Sequence, residues 1–316
     1  MKTVKEAARW LLERDEFLIL THRRPDGDAV GSAIALCLGL QSIGKRALLW
    51  YNPQFTARFD RRLAGLTTTC VTENTTVISV DLATESLLPI NGVQFGGKVQ
   101  LALDHHPSNT GFAKHTLVQP ECAGCGELIW DLLLELGVEP TKEMAEAVYI
   151  AISTDSGCFR FGNTTARTFR TAAACVEAGA DIAPINREFF EIKTKGRLQL
   201  ESRLMAGMEF FGDGRVAIAA LPQSWVQELD VTEDDLDSIS GFPRAIHGVR
   251  VGVLLRDSEP GKVKLSIRTA EGWNASDFAA HLGGGGHSAA AGATIPGTLE
   301  EGKQAILQVL RNENVI

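Results

Sequence analysis

Four short apolar runs, 17–20, 46–50, 76–80 and 99–103, alternate with helical patterns through the first half of the chain. Parallel strands need long crossover connections. The alternation therefore predicts an α/β fold, a mostly parallel sheet with helices on both faces. Open sheets of this kind bind ligands beyond the carboxyl ends of their strands. Chemistry is expected in the residues just past those ends.

Three helical patterns follow, 126–136, 142–152 and 166–178, and complete a first domain expected to span 1–187. A charged helical stretch reads as a connector over 188–212. Strand patterns resume at 216–221, 250–256 and 262–268, with an acidic helical segment at 232–239 and a last helix at 299–311, which predicts a smaller α/β domain over 213–316. A length of 316 residues suits two domains.

Composition excludes several classes. With 44% hydrophobic and 22% charged residues the chain is globular in type rather than disordered. A net charge of −8 argues against a surface for long duplex nucleic acid, so an anionic substrate should be short and met by a local site. The apolar run 29–40 ends at Gln41, too soon to cross a bilayer, so no membrane partner is expected. Residues 1–15 read as an amphipathic helix instead of a signal peptide, which points to the cytoplasm. Six scattered cysteines are expected as reduced thiols there. Cys122 and Cys125 have metal-site spacing, but one such pair is half a zinc site, and a structural role is expected.

Acids and histidines collect at the strand ends. His22, Asp26 and Asp28 follow the first run; Asp81 follows 76–80; Asp104, His105 and His106 follow 99–103. A single Asp at a strand end is an ordinary turn or cap residue. Three successive ends carrying carboxylate, two with histidine, point to metal binding. Oxygen and imidazole ligands without thiolate suit a hard or borderline divalent ion such as manganese. Asp26 and Asp28 flank Gly27, so their side chains can diverge toward two neighbouring ions that a carboxylate at Asp81 could bridge. A two-metal site of this kind hydrolyses phosphate esters or anhydrides.

The segment from His22 to Ser32, the lone Asp81, Asp104-His105-His106, and the segment from Thr154 to Phe161 together resemble, in order, the motifs of the DHH phosphoesterases. Gly283 to His287 followed by 289–292 is similar to the glycine-rich signature of the accompanying DHHA1 domain. The resemblance implies that His22, Asp26 and Asp81 hold one manganese ion and that Asp28, Asp81, His105 and Asp155 hold the other, with magnesium or cobalt as substitutes. It alone recruits Asp155, which ends a helical pattern. It also implies that Asp104 orients a histidine and that His106 faces the scissile phosphate, as hydrogen-bond or proton donor.

The four glycines 283–286 cannot form a helix interior without large entropic cost. They are expected as a bare binding loop followed by His287 and a small-residue helix. The resemblance makes Gly284, Gly285, Gly286, His287 and Arg268 the grip on the substrate's distal part, and places the active site in a cleft between the domains. The function it implies is hydrolysis of short oligoribonucleotides (nanoRNA, pApA) and 3′-phosphoadenosine-5′-phosphate to nucleoside monophosphates. Cyclic-di-AMP hydrolysis is the alternative, a nucleotide sensor with structural metals the non-enzymatic one. Relatives of this kind often form dimers, which leaves room for a homodimer.

Overall fold

The structure is a computed structural model that describes residues 1–236 and 238–316. The chain divides into two compact units, Met1–Ile192 and Lys193–Ile316. The stretch expected as a connector is shared between them. Arg187–Glu191 closes the first unit as one π-helical turn, where Glu188 takes two hydrogen bonds from Arg62, at 2.9 and 2.7 Å. The helix Lys195–Ala206 opens the second unit and buries Leu200 and Leu204 in its core.

The first unit is built on six strands: β1 (Phe17–Leu20), β2 (Ala47–Trp50), β3 (Thr67–Thr68), β4 (Thr76–Val80), β5 (Leu101–Asp104) and β6 (His115–Val118). All pair in parallel, in the order β3-β2-β1-β4-β5-β6. Chain order reverses between β1 and β4, and that is where a crevice opens in doubly wound sheets. β1 and β4 are buried at every position, as central parallel strands covered on both faces must be. Ile19, Leu49, Ile78 and Leu101 face a core shared with the helices Val4–Leu12, Gly27–Ser42, Cys125–Glu135 and Lys142–Asp155. Leu18, Leu20 and Val77 face the other way, against Leu82, Leu88, Phe95 and Val99 of a segment that includes two single-turn helices. The short edge strands β3 and β6 were not expected from pattern.

Two helices meet unusually closely. A Cβ on Gly31 would lie 2.3 Å from the Ala147 carbonyl oxygen, and one on Gly27 would lie 2.4 Å from Thr154 Oγ1. The helix Gly27–Ser42 can therefore lie this close to Lys142–Asp155 only with glycine at 31, and with glycine at 27 while threonine occupies 154. That second helix continues three residues past its expected end, so Asp155 occupies its last turn.

The second unit contains β7 (Glu209–Phe211), β8 (Val216–Leu221), β9 (Val251–Glu259), β10 (Lys262–Thr269), β11 (Gly285–Gly286) and β12 (Ala290–Pro296). Their order is β11-β12-β10-β9-β8-β7, with β8 and β9 parallel and the other pairs antiparallel. The acidic segment gives a four-residue helix, Glu233–Leu236, then a turn at Ile239–Gly241; residue 237 of that expectation lies outside the described residues.

The small-residue helix expected after His287 is instead the strand β12, and the glycine loop is in part its partner β11. His287 and Ala290 exchange backbone hydrogen bonds across a tight turn, at 2.8 and 3.2 Å. Gly284 has no space for a Cβ, which would lie 2.1 Å from the Gly292 carbonyl oxygen. Close strand approach, rather than helix formation, accounts for these small residues.

Candidate active site

Leu20 ends β1, and His22 follows two residues later with Nε2 turned toward Asp81 Oδ2 (3.7 Å) and Asp26 Oδ1 (3.8 Å). Asp26 caps the helix Gly27–Ser42: its Oδ1 accepts the N–H groups of Asp28 and Ala29, each at 3.1 Å. Asp28 sits in the first turn and is buried. Its Oδ2 accepts the Cys125 N–H at 2.6 Å, and its Oδ1 accepts the Gly126 N–H at 3.0 Å and the Ser32 hydroxyl at 3.1 Å. The positive end of the helix Cys125–Glu135 thus holds this carboxylate.

Asp81 leaves β4 in the left-handed region (φ 52°) and is 3% exposed. His105 Nε2 lies 3.5 Å from Asp81 Oδ1, 3.6 Å from Asp28 Oδ2 and 3.7 Å from Asp155 Oδ2. His105 Nδ1 lies 3.3 Å from the Cys122 carbonyl oxygen. A proton on Nδ1 donated to that carbonyl leaves Nε2 as a lone pair facing three carboxylates, the tautomer a metal ligand needs.

Asp104 is fully buried at the end of β5. Its Oδ1 takes the backbone N–H groups of His105 and His106 and lies 2.8 Å from His106 Nδ1, while Asn109 donates to its Oδ2 at 2.7 Å. Burial pushes Asp104 up, but the hydrogen bonds from His106 and Asn109 outweigh it and hold the carboxyl below its ordinary range. The same bond from Asp104 raises the His106 imidazole.

The structure gathers His22, Asp26, Asp28, Asp81, His105 and Asp155 into one cluster. Among the described residues, three groups have ligand atoms within 4.8 Å of one another: His22, Asp26 and Asp81; Asp28, His105 and Asp155; and Asp81, His105 and His106. His106 Nδ1 is already engaged by Asp104, so the third group overlaps the Asp104–His106 pair. Buried Asp81 Oδ1 has no hydrogen-bond partner: His106 Nδ1, 3.4 Å away, is engaged by Asp104, and His105 Nε2 lies 3.5 Å away. A buried carboxylate oxygen left without a donor is costly. The donor set is oxygen and imidazole nitrogen, so a divalent cation fits here and a proton donor does not replace it.

Burial pushes Asp81 well above the ordinary range, and repulsion from Asp28 and Asp26 adds to this; burial also raises Asp28 and takes Asp155 up to about 8. The folded, metal-free chain therefore holds protons that an unfolded chain releases near pH 4. Folded pKa values raised above unfolded ones make stability fall as pH rises. Melting in EDTA is expected to move to lower temperature between pH 5 and pH 8.5. Saturating manganese, by competing with those protons, should flatten or reverse the trend. A metal-free melting curve independent of pH would contradict this account.

The expected CxxC pair contributes backbone, not sulfur. Both thiols are buried and burial raises their pKa. The amides at 125 and 126 serve Asp28, and the carbonyl of Cys122 serves His105. Residue type could not announce these roles, because every residue carries an amide and a carbonyl.

In the second unit, Arg268 is half-buried on β10 and donates to Ser240 Oγ at 2.8 Å and to the Ile267 carbonyl at 3.0 Å, with no carboxylate partner among the described residues. Burial lowers its pKa. Arg268 pairs with Ala290 on one side and Gly252 on the other. Gly252 has no Cβ because Arg244 packs on it, its backbone nitrogen 2.5 Å from where that Cβ would be. Arg244 was not expected from the sequence; its buried Nε has no hydrogen-bond partner. Residues directly opposite in a sheet share a face, so Arg244, Arg268 and the turn carrying exposed His287 lie near one another.

Residues 16–152 match the DHH family, N-terminal domain, and residues 213–314 match the DHHA1 domain. A Thermus thermophilus protein named bifunctional oligoribonuclease and PAP phosphatase NrnA is 34% identical over 93% of this chain and 89% of its own length. A cyclic-di-AMP phosphodiesterase, GdpP of Geobacillus thermodenitrificans, is 25% identical over 98% of this chain and 50% of its own length. The crystal structure of an exopolyphosphatase-related protein from Bacteroides fragilis shares the fold, with a TM-score of 0.87, 22% identity, and coverage of 98% of this chain and 95% of that one.

Proposed function

The chain belongs to the DHH family of metal-dependent phosphoesterases, and from that premise we propose that it uses two manganese ions to hydrolyse short oligoribonucleotides and 3′-phosphoadenosine-5′-phosphate to nucleoside monophosphates. The observation that carries this reading is the cluster at the reversal of strand order, with the unpartnered Asp81 oxygen at its centre. His22, Asp26 and Asp81 would hold one ion, and Asp28, Asp81, His105 and Asp155 the other. Bound there, such ions activate a water nucleophile and neutralise charge on the attacked phosphate.

The chain's own groups do the rest. Asp104 fixes the His106 ring through Nδ1 and keeps it basic, which leaves Nε2 as a hydrogen-bond donor to a phosphate oxygen or to the leaving oxygen. The Asn109 amide holds Asp104 from the far side, so the ring cannot swing. In the second unit, Arg268 and Arg244 offer guanidinium groups without acidic partners among the described residues, suited to a phosphate that is not being cleaved. Cyclic-di-AMP remains the second reading, favoured by the GdpP relative, although that protein is matched over half its length.

The test is turnover of a short RNA, pApA, 3′-phosphoadenosine-5′-phosphate and cyclic-di-AMP by the purified chain, with manganese and with EDTA. Full activity in EDTA, or cleavage of none of the four, would reject the proposal. Arg268→Ala and His287→Ala should retain metal binding but lose substrate affinity. A charge-assisted hydrogen bond is worth about 1.5 to 3 kcal/mol, so the loss on short RNA should be about ten- to a hundredfold. A minimal chromogenic phosphodiester lacks a distal nucleotide and should be hurt less. Equal losses on both substrates would place these residues at the reacting phosphate.

A further inference from the structure

Beneath the cluster lies a turn, residues 119–125, that reaches one of its acids, Asp28, and one histidine, His105. Its Cys122 carbonyl meets His105 Nδ1, and the amides at 125 and 126 donate to Asp28. The turn is itself held from behind by three side chains. Glu127, fully buried, accepts the Ala123 N–H on Oε1 at 3.3 Å. Arg167 approaches Glu127 Oε2 with Nε at 3.3 Å, and its Nη2 donates to Gln119 Oε1 (3.0 Å) and Asp131 Oδ2 (2.7 Å). Asn163 donates from one Nδ2 to two carbonyl oxygens, that of Ala123 at 2.9 Å and that of Asp155 at 3.1 Å.

The contacts are distributed unevenly. Asp28, His105 and Asp155 form one of the groups of convergent ligand atoms, and each is tied to this turn or to Asn163. His22 and Asp26 receive nothing from it: His22 is held through its carbonyl by Asn52, and Asp26 bonds its own helix. Glu127 Oε2 has no hydrogen-bond partner, so what keeps this buried acid in place is the ion pair with Arg167 and the bond to Ala123. A buried carboxylate kept in a polar network of this kind is a device for fixing geometry rather than for adding stability.

We propose that Glu127, Arg167 and Asn163 are positioning residues for one ion of the pair, the ion held by Asp28, His105 and Asp155, and that they set its affinity independently of the ion at His22 and Asp26. The inference rests on the two-ion reading of the cluster. Outer partners of metal ligands change affinity by about ten- to a hundredfold when removed. They do so by letting ligands drift from the required geometry, and here the drift is confined to one side of Asp81.

The experiment is titration of the full, metal-stripped chain with manganese chloride, followed by calorimetry and by electron paramagnetic resonance. The wild type should take up two ions and show the signal of a coupled pair. Asn163→Ala, on an exposed side chain, and Glu127→Leu should keep one site at wild-type affinity and weaken the other about ten- to a hundredfold. At one equivalent of metal the variants should show an isolated manganese spectrum. Glu127→Gln retains an acceptor for Ala123 but loses the ion pair with Arg167, and should recover only part of the loss. If Glu127→Leu does not fold, Asn163→Ala alone decides. Equal weakening of both sites, or two unchanged sites in Asn163→Ala, would overturn the inference. A wild type that binds fewer than two ions would instead reject the two-ion reading.

Discussion

Asp81→Asn is expected to abolish turnover and, in the absence of metal, to make the protein more stable. In the proposed two-ion site this carboxylate belongs to both ligand sets, with Oδ2 3.7 Å from His22 Nε2 and Oδ1 3.5 Å from His105 Nε2, so without it neither set would be complete. Metal stabilisation of a phosphoryl transition state amounts to several kcal/mol, so kcat/KM should fall on the order of a thousandfold or more. In the metal-free chain the same carboxylate is buried, unpartnered on Oδ1 and repelled by its neighbours. Its replacement by a neutral amide should raise stability by about 1 to 3 kcal/mol, or a few degrees in melting temperature. The gain should be larger at pH 8 than at pH 5, where the wild-type cluster already holds protons. Melting curves in EDTA at the two pH values, beside turnover assays in manganese, test both halves. A variant less stable than wild type at pH 8 would contradict the role given to the orphaned oxygen.

Gly31→Ala, although Gly31 is not itself a ligand, should damage the ligand cluster strongly. The added methyl would be driven against a backbone carbonyl at 2.3 Å, which cannot rotate away as a side chain can. Overpacking typically costs about 1 to 3 kcal/mol. Here the strain separates the two helices whose ends carry Asp28 and Asp155, so manganese affinity should fall together with melting temperature. Gly27→Ala meets the Thr154 side chain instead. Pairing it with Thr154→Ala, which removes the Oγ1 and Cγ2 atoms that would lie 2.4 and 2.5 Å away, should recover part of its loss, whereas no side-chain truncation can rescue Gly31→Ala. Equal rescue of the two would show that the helices yield more readily than this packing implies.

Much of the first unit was legible because β1, β4 and β5 are mostly apolar runs with an acid or histidine within two residues of their ends. Burial on both faces writes itself into composition. Asp155 was less legible: the apolar pattern of its helix ends at Ile152, and the last turn carries polar residues that periodicity does not separate from a loop. β12 was misread as a helix because alanine and glycine carry no alternation, and strand pairing with β10 overrides their propensity. Arg244 was missed because its neighbour is set by the absence of a Cβ at Gly252, a contact between positions that no spacing rule connects. The turn at 119–125 was invisible for another reason: its working groups are amides and carbonyls.

The arrival of Asp155 at the end of a packed helix makes the site unequally tolerant of changes in chain length. His22, Asp81 and His105 leave strands whose positions are fixed by sheet pairing, and the segments joining those strands are long enough to lengthen or shorten without moving them. Asp155 answers to helical phase. A single residue inserted between Ala147, where Gly31 docks, and Asp155 would turn that carboxylate by about 100° about the helix axis and carry it out of the cluster. Insertions and deletions accumulating in this chain over evolutionary time should therefore be found in the connections of the sheet and be absent from the eight residues that lead to Asp155.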